Sequence, residues 1–373
     1  MIAAPPATRR RACVAACAVL VAALLASAPP PSDAARPLPR VRVIATGGTI
    51  GNTLTGRLSA SDLVAGLPHP ERLARVETET FANLPSAVLT MDDCARLSRH
   101  LAAVLAADRE LDGVVVTSGT DTLEELAWFL YLTLSDHRPI VVVGAMRRPG
   151  AGDADGPGNL ADAVRVAAHR SARGLGTVVV MGGQILSARH VRKRHATNVD
   201  AFDAPEPERL GIVKRGRVQM RMRSGGVSER NGKHLPISIS IPGSLALPDG
   251  ASLPRVDVLL TYQDAAGDLI DAAVAQGARG IVLASAGAGA LTLSQADAVR
   301  RAAGAGMPVV IASRTGAGTV PRPDAFGALP ILTAGDLDPL KARLVLVLAL
   351  ARGMDESQIA RLFAAGSPTD VDR

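Results

Sequence analysis

The sequence predicts an α/β protein with two domains, each built around a mainly parallel β-sheet. Short runs of β-branched residues alternate along the chain with stretches that have helical spacing. The strand runs are continuously apolar, which is typical of parallel strands covered by helices on both faces. A segment rich in Gly, Pro, Ser and Asn interrupts the alternation at residues 224–254, after which the alternation resumes. We therefore predict one domain on each side of a linker.

The composition is that of a packed globular protein. Of the 373 residues, 47% are apolar and 20% are charged, whereas aromatic residues are few: one Trp, two Tyr and five Phe. The core must therefore consist mainly of Ala, Val, Leu and Ile. The shortage of aromatic side chains argues against a stacking platform for single-stranded nucleic acid. The same composition excludes a collagen, a coiled coil and a polytopic membrane protein.

Residues 1–35 have the pattern of a secretory signal peptide. Three consecutive arginines start at Arg9, residues 12–26 are apolar, and small residues follow as far as Ala35. We predict cleavage between Ala28 and Ala35 and a periplasmic or secreted mature protein; the alternative is an N-terminal anchor. The apolar segment is short for a membrane-spanning helix, so we expect no stable membrane association.

The predicted mature chain has a modest charge and a single cysteine. Removal of the first 34 residues lowers the formal net charge from +6 to +4 and leaves Cys94 as the only cysteine. An internal disulfide bond is then impossible, even in an oxidising compartment. The charge indicates no nucleic-acid partner.

The two domains are predicted over residues 36–223 and 255–373. In the first, strands are expected at 41–45, 114–117, 140–144 and 177–181, and helices at 91–107, 123–134 and 159–170. In the second and smaller domain, strands are expected at 256–260, 280–284 and 308–312, and helices at 269–276, 294–303, 339–352 and 356–363. A short alternating run at 235–241 lies within the predicted linker.

Two Thr-rich segments follow predicted strands and mark the candidate site. Thr-Gly-Gly-Thr occupies 46–49, and Thr-Ser-Gly-Thr-Asp-Thr occupies 117–122. Ligands of parallel α/β sheets bind beyond the carboxyl ends of the strands, so both segments belong to one edge and can converge. The glycines permit tight turns and close approach of the backbone to a ligand. The simpler alternative is that each segment is a turn that caps a helix.

Several other kinds of site are not indicated. The sequence has no Gly-x-Ser-x-Gly, His-Glu-x-x-His, Cys-x-x-Cys or P-loop motif, and no Gly-x-Gly-x-x-Gly follows the first strand. His190 and His195 lie in a basic run at 189–195, whose positive charge opposes a cation. We therefore predict no metal site and no cofactor. The basic run is interpreted as solvated surface rather than as a nucleic-acid patch, although one of its charges can turn inward.

The motifs together resemble the bacterial asparaginase/glutaminase family of Thr-dependent amidohydrolases. The similarity covers residues 41–363 and keeps the family's motif order. The matching motifs are Thr-Gly-Gly-Thr-Ile (46–50), Gly-Thr-Asp-Thr-x-Glu-Glu (119–125), Gly-Ala-Met-Arg (144–147), Asp-Gly-Pro-x-Asn-Leu (155–160), Val-x-Lys (191–193) and Asp-Pro-x-Lys-Ala-Arg (338–343). The resemblance implies an asparaginase-like fold, with a flavodoxin-like N-terminal domain and a smaller C-terminal domain. It also implies a homo-oligomer, a dimer of dimers with sites shared between subunits.

The resemblance further implies a catalytic group of four residues. Thr49 is the expected nucleophile, which attacks the side-chain amide carbon of the substrate and, as a neutral hydroxyl, needs a base. Thr120, Lys193 and Asp121 are expected to form a second group, with Lys193 held near Thr120 and oriented by Asp121. Ammonia then leaves and water hydrolyses the acyl-enzyme. The implied reaction converts L-asparagine to L-aspartate and ammonia.

Five positions are expected to bind the substrate, a small-molecule amide. Ser86 matches the family residue that binds the substrate's α-carboxylate, and Ala87 follows it. Backbone N–H groups at the glycine turns, which include Gly48 and Gly119, are candidate donors to the oxyanion. Ala145, in the Gly-Ala-Met-Arg motif, completes this set.

The expected substrate pocket departs from the family pattern. The loop at 51–61 contains no Tyr, Ala87 stands where a polar residue is usual, and Ser118 replaces a His. In the C-terminal domain the family's Gly-x-Gly-Asn motif ends in Ala290, and Asp324 is the only nearby candidate for an acidic residue that the family carries.

These departures leave three hypotheses open. Each lost hydrogen bond to a charged group is worth about 1.5–3 kcal/mol. Either Arg57 and Ser59 compensate and L-asparagine is the substrate, or the enzyme acts on a different amide. The third hypothesis is a binding protein on the same scaffold with little or no turnover. The retained Thr49, Thr120 and Lys193 favour an enzyme.

Overall fold

The computed structural model describes residues 37–221, 245–248, 250–321, 326, 329 and 331–364. Residues from Pro39 onward form one compact unit, to which both α/β domains belong. The predicted signal peptide, and the run at 235–241 within the predicted linker, lie outside the described residues.

A mixed sheet forms the centre of the N-terminal domain. Its parallel strands are β1 (Arg40–Gly47), β2 (Arg75–Leu84), β3 (Gly113–Thr117), β4 (Ile140–Val143) and β5 (Thr177–Met181), in the order β2-β1-β3-β4-β5. This is the order of flavodoxin-like sheets, as predicted. Beyond β5, β6 (Gln184–Ser187) pairs antiparallel. A separate ribbon joins β7 (Arg192–Lys193) and β8 (Phe202–Asp203), and the sheet ends in the antiparallel strands β9 (Arg209–Lys214) and β10 (Arg217–Met220).

The helices of this domain are α1 (Ala60–Ala65), α2 (Met91–Ala107), α3 (Leu123–Thr133) and α4 (Gly156–Ala167). Helix α2 has the predicted bounds because a capping box marks its start: Thr90 Oγ1 accepts from the Asp93 N–H, and the Asp93 carboxylate accepts from the Thr90 N–H. Strands β3, β4 and β5 are fully buried, which explains their continuous apolar runs. Within the described residues, no helix is long and apolar enough to cross a membrane.

The smaller C-terminal domain has a parallel sheet in the described residues. Its strands, in spatial order, are β11 (Val256–Leu260), β12 (Gly280–Ser285), β13 (Val309–Ser313) and β14 (Ile331–Thr333). Its helices are α5 (Asp268–Ala275), α6 (Leu293–Gly304), α7 (Pro339–Ala351) and α8 (Glu356–Ala364). Helix α7 begins sharply because the Asp338 carboxylate accepts from the N–H groups of Leu340 and Lys341, each at 3.0 Å.

Helix α7 joins the two domains. It packs on β11, β12 and β13 of its own domain and on α3 of the N-terminal domain. Trp128 of α3 is fully buried, and its indole Nε1 donates to the backbone oxygen of Lys341 at 3.2 Å. Apolar residues of both domains form one continuous core. The C-terminal domain is therefore in direct contact with elements that carry the candidate site.

The edge strand β2 has no counterpart among the predicted strands. Its sequence alternates charged and uncharged residues, and its side chains are partly or fully exposed. Glu77 forms ion pairs with Arg40 and Arg42 of β1, the latter at 2.7 Å. An edge strand held in this way does not need the continuous apolar run on which the strand predictions depended.

Candidate active site

The two Thr-rich segments leave the sheet side by side. They follow β1 and β3, which are hydrogen-bonded neighbours. The strand order reverses at this point, since β2 lies on the other side of β1, and such a switch point opens a ligand crevice at the carboxyl edge. Thr46 Oγ1 donates to the backbone oxygen of Thr117 at 2.7 Å, which ties the two segments together at their base.

Gly48 and Gly119 bring the backbones of these segments into direct contact. A Cβ atom on Gly48 would lie 2.2 Å from the Gly119 nitrogen. Gly48 also has φ 89° and ψ −174°, a conformation that is essentially limited to glycine. A Cβ atom on Gly119 would lie 2.6 Å from Ser86 Oγ. Three chain segments therefore meet where neither glycine has room for a side chain, and Thr49 and Thr120 follow directly after the two glycines.

Ser86 is almost fully buried at this junction, shortly after β2. Its backbone oxygen accepts from Thr122 Oγ1 at 3.1 Å, which fixes the segment against the second Thr motif. The Ser86 hydroxyl has no hydrogen-bond partner among the described residues. A buried hydroxyl in this state is unfavourable, and a polar ligand atom would supply the missing partner. The neighbouring Ala87 is exposed.

Lys193 lies against the second Thr motif. Its Nζ donates to Thr120 Oγ1 at 3.0 Å and to Asp121 Oδ1 at 2.8 Å. Thr120 is buried, Lys193 is 16% exposed and Asp121 is 72% exposed, so the group extends from the interior to solvent. The Lys193 backbone N–H donates to Glu124 Oε2, in the first turn of α3, at 2.9 Å. These are the contacts expected from the sequence, while the catalytic roles of the three residues stay predictions.

Thr49 and Ala145 occupy different environments. Thr49 is the first residue of a short 3₁₀ turn, Thr49–Gly51, and is half-buried. Ala145 follows β4 and is fully buried. The turn after it is fixed by Asp155, whose carboxylate accepts from the next two backbone N–H groups at 3.0 and 2.8 Å. Contact of Ala145 with a substrate stays a prediction.

The basic run at 189–195 is not solvated surface throughout, which corrects the interpretation from the sequence. Arg189 is 3% exposed and forms an ion pair with Asp336 of the C-terminal domain. His190 Nε2 lies 3.2 Å from the other Asp336 oxygen, and its Nδ1 lies 3.3 Å from Glu208 Oε2. Burial opposes the charged imidazolium, but these two carboxylates outweigh it and raise the pKa of His190. Within the described residues, no group of three or more His, Cys, Asp or Glu side chains is placed to hold a metal ion.

The loop after Thr49 forms a short turn. Asn52 pairs with Arg57, and the Thr53 N–H donates to the Gly56 oxygen at 2.9 Å. Leu54, at the tip, is 90% exposed. This segment therefore presents an apolar side chain to solvent.

The other departures from the family pattern occupy separate positions. Ala290 is exposed and pairs with Ala286 in a tight turn after β12. Ser118 is fully buried, and its hydroxyl donates to the Gly119 oxygen at 3.2 Å. Asp324 lies outside the described residues.

Comparison with known protein families identifies the family to which the chain belongs. Residues 40–224 match the model of the asparaginase N-terminal domain, and residues 255–363 match that of the glutaminase/asparaginase C-terminal domain. The chain belongs to the asparaginase family. The enzyme class predicted from the Thr motifs, an asparaginase-type amidohydrolase, is thereby confirmed.

Individual asparaginases match the chain over most of their length. L-asparaginase 2 of Bacillus subtilis (strain 168) is 35% identical, over 88% of this chain and 87% of the relative. A probable periplasmic L-asparaginase of Haemophilus influenzae is 32% identical, over 88% of this chain and 93% of the relative. The crystal structure of a probable cytoplasmic L-asparaginase from Campylobacter jejuni has a TM-score of 0.76 at 36% identity, and the match covers 87% of this chain and 99% of that chain.

Two residues that contact the Lys193 segment had no role assigned from the sequence. One is Glu124, and the other is Lys341, whose Nζ donates to the backbone oxygen of Val191 at 2.6 Å. Both stand in motifs that carried the family resemblance. A linear motif does not show that Lys341 contacts a segment 150 residues earlier. The sequence did offer one signal for a special role of Lys341: a lysine in a helix, α7, whose other residues are apolar except for Arg343.

Proposed function

We propose that the protein hydrolyses the side-chain amide of L-asparagine to L-aspartate and ammonia through an acyl-enzyme on Thr49. The observation that carries this proposal is the position of Lys193 Nζ, 3.0 Å from Thr120 Oγ1 and 2.8 Å from Asp121 Oδ1, at the sheet edge where Thr49 lies. A protein without turnover has no evident need for a lysine side-chain nitrogen bound to a threonine hydroxyl beside a second threonine. The relatives from Bacillus subtilis and Haemophilus influenzae are named L-asparaginases.

In the proposed reaction Thr49 Oγ1 attacks the amide carbon and gives its proton to Thr120 Oγ1, while the Thr120 hydroxyl proton passes to the lone pair of Lys193 Nζ, which acts as a neutral amine in this step. The negative charge that develops on the amide oxygen is stabilised by backbone N–H groups of the turns that carry Thr49 and Thr120. The Gly48 N–H, a candidate from the sequence, is not one of them, because it donates to the Leu84 oxygen at 3.1 Å. The carbon–nitrogen bond then breaks, and the nitrogen takes up the proton and leaves as ammonia. Water attacks the resulting ester, gives its proton to Thr120 and Lys193 in the same way, and releases aspartate as Thr49 regains its hydroxyl proton. Asp121 orients Lys193 throughout.

Ser86 is the proposed contact for the substrate's α-carboxylate. Its hydroxyl is buried and has no partner among the described residues, so a carboxylate oxygen can accept from it without displacing another bond. Gly119 lets the second Thr segment pack directly against Ser86, since a Cβ atom there would lie 2.6 Å from Ser86 Oγ.

A different amide is the second candidate substrate, and the departures from the family pattern favour it. The side chains of Ala87 and Ala290 cannot hydrogen-bond to an α-ammonium group, and Leu54 adds an exposed apolar side chain in the loop after Thr49. A substrate without a free amino group needs fewer polar contacts than asparagine does. Succinamate and an asparagine dipeptide represent this class.

The decisive experiment measures ammonia release by the purified protein from L-asparagine, D-asparagine, L-glutamine, succinamate and an asparagine dipeptide. Thr49→Ala is the test variant, and Thr55→Ala, an exposed threonine in the following loop, is its matched control. We expect release that Thr49→Ala abolishes and Thr55→Ala preserves. Release that persists in Thr49→Ala would exclude this nucleophile. Ligand binding without any release would favour the binding-protein hypothesis.

We also propose a periplasmic or secreted location and a dimer of dimers. The basic and apolar pattern of residues 1–35 supports the location, as does the periplasmic relative from Haemophilus influenzae, whereas the Campylobacter jejuni structure is that of a protein named cytoplasmic. Cell fractionation tests the location, and light scattering of the purified protein tests the assembly.

A further inference from the structure

The segment that ends in Lys193 contacts the C-terminal domain through its first three residues. We call residues 189–193 the strap. Arg189 and His190 both contact the Asp336 carboxylate, and the next residue, Val191, accepts from Lys341 Nζ through its backbone oxygen at 2.6 Å. Three consecutive residues of the strap, 189–191, therefore contact the C-terminal domain, and Lys193, two residues later, contacts Thr120.

Lys341 is an unusual residue for its surroundings. It is 1% exposed, and every other buried residue of its helix is apolar. The nearest carboxylate oxygen in its ion pair, on Asp338, is 3.9 Å away, and burial lowers the pKa of Lys341 to about 8. Burying an ammonium group is unfavourable unless it is well paired. An apolar residue would fill this position at lower cost, so the lysine is better explained by its bond to the strap than by packing.

Glu124 holds the other end of the strap. Its Oε2 accepts from the Lys193 backbone N–H at 2.9 Å. The carboxylate is largely buried, and burial raises its pKa, while the positive charge of Lys341 favours its ionised form. Lys341 and Glu124 thus stabilise each other's charged form. They hydrogen-bond to the strap backbone at residues 191 and 193.

We propose that Lys341 is a positioning residue that, together with Glu124, fixes Lys193 at hydrogen-bond distance from Thr120. The C-terminal domain thereby contributes to proton transfer through the strap. The inference rests on the proposed function, since Lys193 has a proton to move only if the chain hydrolyses amides.

The chain supplies a matched control for this network. Arg343 and Glu125 stand beside Lys341 and Glu124 on the same two helices and form an ion pair at 3.9 Å across the same interface. Arg343 Nε donates to the Val256 oxygen at 3.0 Å. This second pair also links the domains, but its contacts do not include the strap.

The test compares Lys341→Met with Arg343→Met, using the best amide from the substrate panel. We expect Lys341→Met to lower kcat by about 10- to 100-fold with KM within about twofold, because Lys193 is displaced while the substrate contacts remain. Arg343→Met weakens the interface and should change kcat by less than about threefold. Equal losses of kcat in the two variants, or an unchanged kcat in Lys341→Met, would overturn the inference.

A double-mutant cycle with Lys193→Met separates positioning from general support. If Lys341 acts through Lys193, Lys341→Met should have little further effect in the Lys193→Met background. A loss of the same size in both backgrounds would contradict the proposal.

Should Lys341→Met fail to fold by circular dichroism, Glu124→Met and Glu125→Met take its place, because methionine is of similar size and has no oxygen to accept from the Lys193 N–H. Glu124→Met should lower kcat about tenfold more than Glu125→Met, and equal effects would overturn the inference. The proposed function is judged separately, from ammonia release by the wild-type protein and its loss in Thr49→Ala.

Discussion

Lys193 Nζ donates to Thr120 Oγ1 at 3.0 Å, although 73 residues separate the two along the chain. Thr120 follows a fully buried strand of the N-terminal sheet, whereas Lys193 lies in a two-residue strand outside that sheet. The contact therefore depends on how the strap is held rather than on the sheet itself.

Removal of the Lys193 side-chain nitrogen should affect turnover more than substrate binding. We expect Lys193→Met to lower kcat by about 10²- to 10⁴-fold, the usual contribution of a positioned proton-transfer group, with a smaller change in KM. Steady-state kinetics of ammonia release measures both. Arg194→Met, at the exposed next residue, is the control and should retain near-normal kcat. A Lys193→Met variant with normal kcat would remove Lys193 from the mechanism.

Gly48→Ala should damage both stability and activity. The added methyl group would lie 2.2 Å from the Gly119 nitrogen, in a backbone conformation that alanine rarely adopts. We expect a loss of more than about 3 kcal/mol in the free energy of unfolding, or a loss of activity from separation of the two Thr segments. Urea denaturation and ammonia release measure the two effects. Gly56→Ala, where a methyl group meets open space, should be nearly neutral, and equal behaviour of the two variants would contradict the contact.

The stability of the protein should depend on pH through Lys341. Burial lowers its folded-state pKa to about 8 from 10.5, against partial opposition from Asp338 and Glu124. Between these values the unfolded chain holds a proton that the native state has released, so stability rises with pH. Relative to Lys341→Met, the wild-type free energy of unfolding should increase by up to about 3 kcal/mol across this window. Urea denaturation of both proteins below pH 8 and near pH 10.5 measures the difference, and a flat difference would refute it.

The pH dependence of the wild-type free energy of unfolding would be harder to interpret alone, because the ionisation of a second group lowers stability as the pH rises. Burial raises the pKa of the Cys94 thiol from 9.0 to about 12, which lowers stability as the pH rises through that range. Cys94 is present in both proteins, so its contribution cancels in the difference.

Asp336→Asn should destabilise the protein substantially. The substitution removes the charge that faces the buried guanidinium of Arg189 and the imidazole of His190. Loss of one partner from a buried ion pair typically costs about 3–5 kcal/mol. Asp271→Asn, which breaks an exposed pair with Arg301, should cost less than about 1 kcal/mol. Chemical denaturation distinguishes the two, and similar small losses would show that Asp336 is not important for the interface.

Buried elements were predictable from the sequence because their signals are local. The strand Thr177–Met181 and the helix Met91–Ala107 have the predicted bounds, the first from its apolar run and the second from its capping box. The strand Arg75–Leu84 was missed because ion pairs with Arg40 and Arg42 hold an alternating, part-exposed edge.

The candidate site was predictable only in part. The Thr motifs follow from strand ends and glycines, whereas Lys193 was placed by resemblance, since no local pattern distinguishes it from its basic neighbours. Burial of Arg189 and the contact of Lys341 with Val191 were not predictable, because both depend on how one domain packs against the other.

The contact between Gly48 and Gly119 shows which positions of the site tolerate a larger side chain and which do not. A Cβ atom on Gly48 would overlap the Gly119 backbone, and one on Gly119 would overlap Ser86, so neither position accepts a side chain. Leu54 and Ala87, on the segments that follow Thr49 and Ser86, are exposed, so larger or polar side chains fit there without moving the threonines. Mutant libraries that aim to change substrate preference should therefore be confined to such exposed positions, where substitutions can alter specificity while the reactive side chains keep their relative positions.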